Sequence, residues 1–150
     1  MFQNTYSVSF FYSETLYRLP DGSLPDLPES TNSKVLVISK TVSNPTEKEI
    51  NFLNNILKAI GLTSDKVLVI FLPVSDVLSF ANIIRKYEPD TLICFGFSST
   101  DLQLNISTNL YQPIVLINTT LILADLLNVL ESDHHKKTLL WQQLKRIFKL

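Results

Sequence analysis

Residues 34–72 read KVLVISKTVSNPTEKEINFLNNILKAIGLTSDKVLVIFL and carry the strongest signals of secondary structure in the chain. Two uninterrupted apolar runs, 35–38 and 67–72, are rich in valine and isoleucine. Runs of this kind are typical of strands that are buried on both faces of a parallel sheet. Because a helical pattern separates the runs, we predict a strand, a crossover helix and a second strand parallel to the first.

The helix between these strands has clear start and stop signals. The Thr46 hydroxyl and the Glu49 carboxylate have the spacing of a capping box. Gly61 supplies the left-handed residue that commonly ends a helix. The apolar face of the segment consists of Ile50, Leu53, Leu57 and Ile60. We therefore predict a helix from about residue 46 to about residue 60.

Two further apolar runs follow downstream. Residues 91–95 and 113–117 predict a third and a fourth strand. Before the third strand, Ser75 or Asp76 is expected to cap a helix that Pro89 ends. After the fourth strand, the chain is expected to close with helices over about residues 120–130 and about residues 133–148.

This order of elements predicts an α/β fold, a three-layer sandwich around a four-stranded parallel sheet. Residues 34–150 are of suitable length for one domain. Residues 1–33 differ in composition, since an aromatic segment is followed by turn-forming proline and glycine residues. We interpret this part as an N-terminal arm that is partly irregular.

Composition narrows the classes of function. The 150 residues are 45% hydrophobic and 18% charged, with a formal charge of -1. A net charge this small provides no overall attraction to nucleic acid or to an anionic membrane. Cys94 is the single cysteine, which excludes an internal disulfide and fits a reducing compartment. With neither a secretion signal nor a membrane-length apolar run, we expect a cytoplasmic protein without membrane contact.

The loops that follow parallel strands meet at one edge of the sheet, where ligands of such folds bind. The candidate pocket residues in these loops are Ser39, Lys40, Thr41, Ser98, Ser99, Asn118 and Thr119. The loops lack histidine, cysteine and a close pair of carboxylates, which are the usual parts of an acid–base couple. We therefore predict no catalytic residue, metal site or cofactor.

Other chemically notable residues have simpler interpretations. His134 and His135 are adjacent, so a helix directs them differently and they are expected to be solvated rather than metal ligands. Cys94 lies inside an apolar strand and is expected to pack as a small hydrophobic residue. The final helix is basic, which suits either a phosphate backbone or, as we favour, a solvated face.

The N-terminal arm carries apolar residues that it has little means of burying alone. Four of these are candidate partner-binding residues, namely Leu16, Tyr17, Leu19 and Leu24. Two interpretations are open: the arm folds back over its own domain, or it docks on a partner protein.

Two stretches of the sequence resemble known families. Residues 119–145, with Lys136, Lys137 and a tryptophan at 141, resemble the close of the uracil-DNA glycosylase fold, and the preceding strand and helix order extends the likeness over most of residues 34–148. The resemblance implies that fold. The glycosylase motifs, however, are replaced by Ser-Lys-Thr-Val-Ser-Asn-Pro at 39–45 and by Asn-Thr-Thr at 118–120.

The chain is also similar to the psi subunits of bacterial DNA polymerase III, which have the glycosylase fold without its catalytic residues. The similarity covers the arm at 13–24, the strand–helix–strand at 34–72 and the Leu-Trp-Gln-Gln string at 140–143. It implies a non-catalytic adaptor that joins the clamp loader to a partner through its arm, with nucleic acid contacted only indirectly.

Two alternatives remain. One is an active or degenerate uracil-DNA glycosylase-like repair protein, in which Asn118 and the loop 39–44 face a flipped base. The other is a domain that binds a small molecule or nucleotide at the 97–101 edge of the sheet.

Overall fold

Parallel strand pairing organises the domain, which we describe from a computed structural model. The structure describes residues 17–18, 25–26, 33–42, 44–63, 66–74 and 78–150. The strands are β1 Tyr17–Arg18, β2 Pro25–Asp26, β3 Val35–Thr41, β4 Val67–Pro73, β5 Thr91–Phe95, β6 Ile114–Leu116 and β7 Thr119–Ala124. The helices are α1 Glu47–Ala59, α2 Phe80–Tyr87, α3 Leu127–Ser132 and α4 His134–Ile147.

Within the described residues, the main sheet has five strands in the order β4-β3-β5-β7-β6. β3 pairs in parallel with β4 and β5, and β5 pairs in parallel with β7. β6 runs antiparallel to β7 at the far edge. The predicted α/β class and the parallel pairing are therefore confirmed, whereas the predicted count of four strands is wrong.

The error lies at the end of the sheet. The predicted fourth strand, 113–117, contains β6 but is antiparallel, and the fourth parallel strand is β7, where we predicted the start of a helix. Ile117 and Asn118 have φ angles of 50° and 64°, so they form the tight turn that joins β6 to β7. The β-branched residues Thr119, Thr120 and Ile122 favour the strand that follows.

Helices cover both faces of this sheet. Side chains from α1, α3 and α4 pack on one face, with Leu53, Leu127 and Leu140 among them. Side chains from α2 pack on the other face, and Phe97 and Leu102 belong to the same hydrophobic cluster as these α2 side chains. The three-layer arrangement follows from strands that are apolar on both sides.

The direction of the crossovers reverses at the centre of the sheet. The chain leaves β3 through α1 to reach β4, then crosses back through α2 to β5 on the other side of β3. Subsequent strands are added outward from β5. The crevice of such a sheet opens at the carboxyl ends of the two strands where the order reverses, which are β3 and β5 here.

The structure confirms some of the predicted helix caps and corrects another. In α1, the amide of Glu49 donates to the Thr46 hydroxyl at 3.1 Å and the amide of Thr46 donates to the Glu49 carboxylate at 3.0 Å, so the capping box is confirmed. The predicted last helix is confirmed as α4, capped by Asp133. The helix α2 is capped by Ser79 rather than by Ser75 or Asp76, which lie outside the described residues.

In the N-terminal arm, β1 and β2 form an antiparallel pair in which Tyr17 lies opposite Asp26. Three of the predicted partner-binding residues, Leu16, Leu19 and Leu24, lie outside the described residues, as does the side chain of Tyr17. The role of these four residues in partner binding stays a prediction.

None of the helices in the described ranges has the length and apolar character needed to cross a membrane.

Candidate functional site

Lys40 lies at the carboxyl end of β3, where the crevice is expected. Its side chain follows Leu36 and Ile38 along the strand toward the α2 side of the sheet. The residue is 6% exposed, and its ammonium Nζ lies 2.9 Å from a carboxylate oxygen of Asp101. The same ammonium lies 4.9 Å from the centre of the Phe97 ring. A buried ammonium needs such partners because it has lost its water.

Asp101 is held by the turn that follows β5. The amide of Ser98 donates to the Asp101 carboxylate at 3.0 Å, and the amide of Asp101 donates to the Ser98 hydroxyl at 3.2 Å. Partial burial acts to raise the pKa of Asp101, but hydrogen bonds from Lys40 and Ser98 together outweigh it and hold the pKa below its ordinary value. The carboxylate is therefore ionised at neutral pH and matches the charge of Lys40.

Gly96 makes this close approach possible. It has a φ of 84°, and its amide donates to the carbonyl of Ala124 at 2.8 Å. A Cβ at this position would lie 2.5 Å from Leu126 Cδ2 and 3.3 Å from Lys40 Cβ. A residue without a side chain is thus required where the chain leaves β5 beside Lys40.

Ser39 and Thr41 lie beside Lys40 but belong to β3 rather than to a loop. They are 0% and 2% exposed, and alternation along the strand directs them to the sheet face opposite that of Lys40. The Ser39 hydroxyl donates to the carbonyl of Lys40 at 3.3 Å. Of the three candidates on this strand, Lys40 is the one directed toward Ser98 and Asp101.

A cleft of about 410 Å³ opens next to the turn after β5. Ser98, Ser99 and Asp101 form one wall, and Asp125 and Leu126 form another. The predicted residues Ser98 and Ser99 therefore line an open cleft at the carboxyl edge. Its hydroxyls are able to donate and accept hydrogen bonds, and its carboxylates are able to accept them, from a polar ligand.

A second polar cluster, which the sequence analysis missed, lies at the end of β7. The Tyr111 hydroxyl donates to the Asp125 carboxylate, and Lys136 Nζ lies 3.4 Å from the same oxygen. Burial, followed by the hydrogen bond to Asp125, raises the pKa of Tyr111 above its ordinary value. Because the prediction placed Asp125 within a helix, its position directly after an apolar strand was not used as a signal.

Asn118 and Thr119 were predicted at the carboxyl edge, and that placement is wrong. They precede or begin β7, so they lie at the amino edge of the sheet, opposite Lys40 and Ser98. The Thr119 hydroxyl is buried and donates to the carbonyl of Pro89 at 2.7 Å. The cause is the misassigned fourth strand, which put both residues after a strand instead of before one.

The remaining candidates have structural surroundings. Cys94 is 0% exposed, and burial raises the pKa of its thiol, so it is protonated. His134 and His135 are exposed in the first turn of α4. Within the ranges that the structure describes, no three His, Cys, Asp or Glu side chains are grouped as a metal would require.

Some basic residues in and after α4 contact neighbouring side chains, and others are exposed. Lys136 joins the Asp125 cluster, and Lys137 lies 5.7 Å from the centre of the Phe52 ring. Lys145, Arg146 and Lys149 are exposed, as expected of a solvated face.

No protein-family model and no curated protein matches the sequence of this chain.

The two glycines with positive φ provide a matched test of the contact at Gly96. Gly61→Ala adds only backbone strain of about 1–2 kcal/mol, because no atom lies within 4 Å of its added Cβ. Gly96→Ala adds the same strain, displaces the half-buried Leu126 side chain and crowds Lys40 Cβ, so we expect a further loss of about 1 kcal/mol in unfolding free energy. Urea denaturation measures both variants, and equal losses would contradict the proposed close approach.

The Lys40–Asp101 pair predicts a pH-dependent stability. Since the pKa of Asp101 is lowered by folding, its contribution is complete above the unfolded-state pKa of about 3.9 and is lost as pH falls through the folded-state pKa. At neutral pH we expect Asp101→Asn to lose about 1–3 kcal/mol of unfolding free energy, and the difference from wild type to shrink in acid.

The control for that experiment is Glu131→Gln. Glu131 pairs with Lys48 at 3.2 Å, but the Lys48 side chain is 75% exposed, so little change in stability is expected. A difference between wild type and Asp101→Asn that stays constant from neutral to acid pH would refute the ion pair's contribution.

Proposed function

We propose that this chain is a non-catalytic adaptor of the replication machinery, similar to the psi subunit of bacterial DNA polymerase III. In this proposal the α/β domain has a uracil-DNA glycosylase-like fold and serves as a rigid platform. The N-terminal arm docks on a clamp-loader-like complex through Leu16, Tyr17, Leu19 and Leu24. Contact with nucleic acid is made through the partners.

The observation that carries the proposal is the pairing of charges at the carboxyl edge of the sheet. Lys40 is neutralised by Asp101, and Asp125 is bound by Tyr111 and Lys136. A general acid or base works best when its pKa lies near the working pH, whereas the pKa of Asp101 is moved below its ordinary value, away from neutrality. Groups that neutralise one another instead stabilise the ends of β5 and β7, which suits a platform.

The arrangement of the Leu-Trp-Gln-Gln string on α4 also supports the proposal. Leu140 is buried in the core, whereas Trp141 is half-buried and Gln142 is exposed. Packing alone accounts for the leucine. The tryptophan and the glutamine remain at the surface, where residues of a shared motif are available to a partner.

The glycosylase alternative is weakened by the positions of its two candidate segments. It requires Asn118 and the loop after β3 to face one pocket. Asn118 lies at the amino edge of the sheet, and Lys40 and Thr41 lie at the carboxyl edge. A single base-sized pocket does not reach both edges of a strand five or more residues long.

The arm is tested by co-purification from the native cell. We expect the tagged full-length chain to recover clamp-loader subunits, and Leu16→Ala combined with Tyr17→Ala to reduce that recovery at least about tenfold, as loss of interface anchors would. The matched control is Val115→Ala with Ile117→Ala, two residues that are each 70% exposed at the β6 edge. Recovery of unrelated proteins only, or equal loss in both variants, would exclude the adaptor role of the arm.

A further inference from the structure

The two edge strands of the main sheet, β6 and β4, differ in length and in exposure to solvent. β6 is three residues long, and Val115 at its centre is 70% exposed. β4 is seven residues long, and every residue from 67 to 72 is at most 5% exposed. Both strands are terminal in the strand order. Because an uncovered edge strand leaves its outward N–H and C=O groups open to solvent, exposure this low indicates that the side of β4 facing away from β3 is covered.

The sequence of β4 makes this cover a physical requirement. The strand reads VLVIFLP and contains no charged residue. Proteins protect an exposed edge strand with charges, an early proline, a bulge or shortness, because a long apolar edge pairs with other chains. Pro73 at the last position leaves the preceding six residues without any of these protections.

The described elements account for the faces of β4 but not for its outer side. Alternate side chains pack among α1 residues such as Leu57 and among α2 residues such as Ile83. The strand spans roughly 23 Å, at 3.3 Å per residue. The stretches outside the described ranges at 43, 64–65 and 75–77 hold at most three residues, roughly 10 Å of chain, and are too short to run along it. Those at 19–24 and 27–32 each contain a proline and an acidic residue, which disfavours a strand of that length.

We propose that residues 5–12 of this same chain bind as an added strand along the outer edge of β4. This segment reads TYSVSFFY and alternates between polar and apolar positions from Thr5 to Phe10, with Tyr6, Val8 and Phe10 on one side, before Phe11 ends the alternation. That period is typical of a half-buried strand. Its eight residues match the length of β4, and it contains no charge, proline or glycine.

The connection to the domain permits this placement. A strand added outside β4 would lie two strand spacings, roughly 10 Å, from β3, where the domain begins. More than twenty residues separate Tyr12 from Val35, which is ample even with the β1–β2 pair between them. Attachment also gives the segment a local concentration in the millimolar range, which favours it over a strand from another molecule.

Hydrogen exchange of the full-length chain tests the added strand. In Val8→Pro combined with Ser9→Pro, one of the two lost amides faces β4 whichever way the strand is turned. We expect exchange in 67–72 to quicken at least about tenfold while 91–95 is unchanged. The control, Gln3→Pro with Asn4→Pro, places the same two prolines outside the segment and should leave both ranges unchanged. Unaltered exchange in 67–72 would refute the proposal.

Distances between spin labels provide a second test that leaves the segment's backbone intact. One label is placed at Ser9→Cys and the other at Thr63→Cys, just before β4, or at Val115→Cys on the opposite edge. Cys94 is fully buried and does not compete for label. The proposal predicts that Ser9 lies nearer to Thr63 than to Val115.

The reverse order of distances would overturn the proposal. So would a short distance to Thr63 that disappears when labelled chains are diluted with unlabelled ones, because a second copy would then supply the strand. Neither result bears on the clamp-loader proposal, which depends on residues that follow this segment.

Discussion

The ion pair between Lys40 and Asp101 is the interaction on which the carboxyl edge of the sheet depends. Lys40 is placed by β3, a strand buried on both faces, so at 6% exposure its ammonium has little access to bulk water. Leaving such a charge unpaired costs several kcal/mol. The turn after β5 must therefore bring Asp101 to it, and this requirement explains Gly96, the Ser98 hydrogen bonds and the position of Phe97.

The same constraint relates the topology to the proposed role. The reversal of strand order between β3 and β5 creates the crevice in which many α/β proteins hold a ligand. Here the crevice contains a cation that is neutralised from within the chain, and the neighbouring strand end at Asp125 is neutralised by Tyr111 and Lys136. An edge stabilised by its own charges provides a rigid surface.

Much of the fold was predictable because local signals agreed with one another. The runs at 35–38, 67–72 and 91–95 are short, apolar and rich in β-branched or aromatic residues, which favours a buried strand, and the Thr46–Glu49 box marks the start of α1. The segment from Thr119 onward was ambiguous, since its leucines and isoleucines satisfy both strand and helix periods. Its turn, Ile117–Asn118, lacks the glycine that usually signals a tight hairpin.

The candidate site was also predictable only in part. Lys40, Ser98 and Ser99 were identified because parallel strands bring their carboxyl ends together. The partnership of Lys40 with Asp101 and the opposite facing of Ser39 and Thr41 depend on the length of β3, which the sequence does not mark. Replacing the ion pair by apolar residues tests the platform most directly. We expect Lys40→Met with Asp101→Leu to keep its unfolding free energy within about 1 kcal/mol of wild type and to recover the same partner subunits. A double variant that folds normally but loses those partners would contradict the account, because the edge would then be acting on a ligand or partner itself.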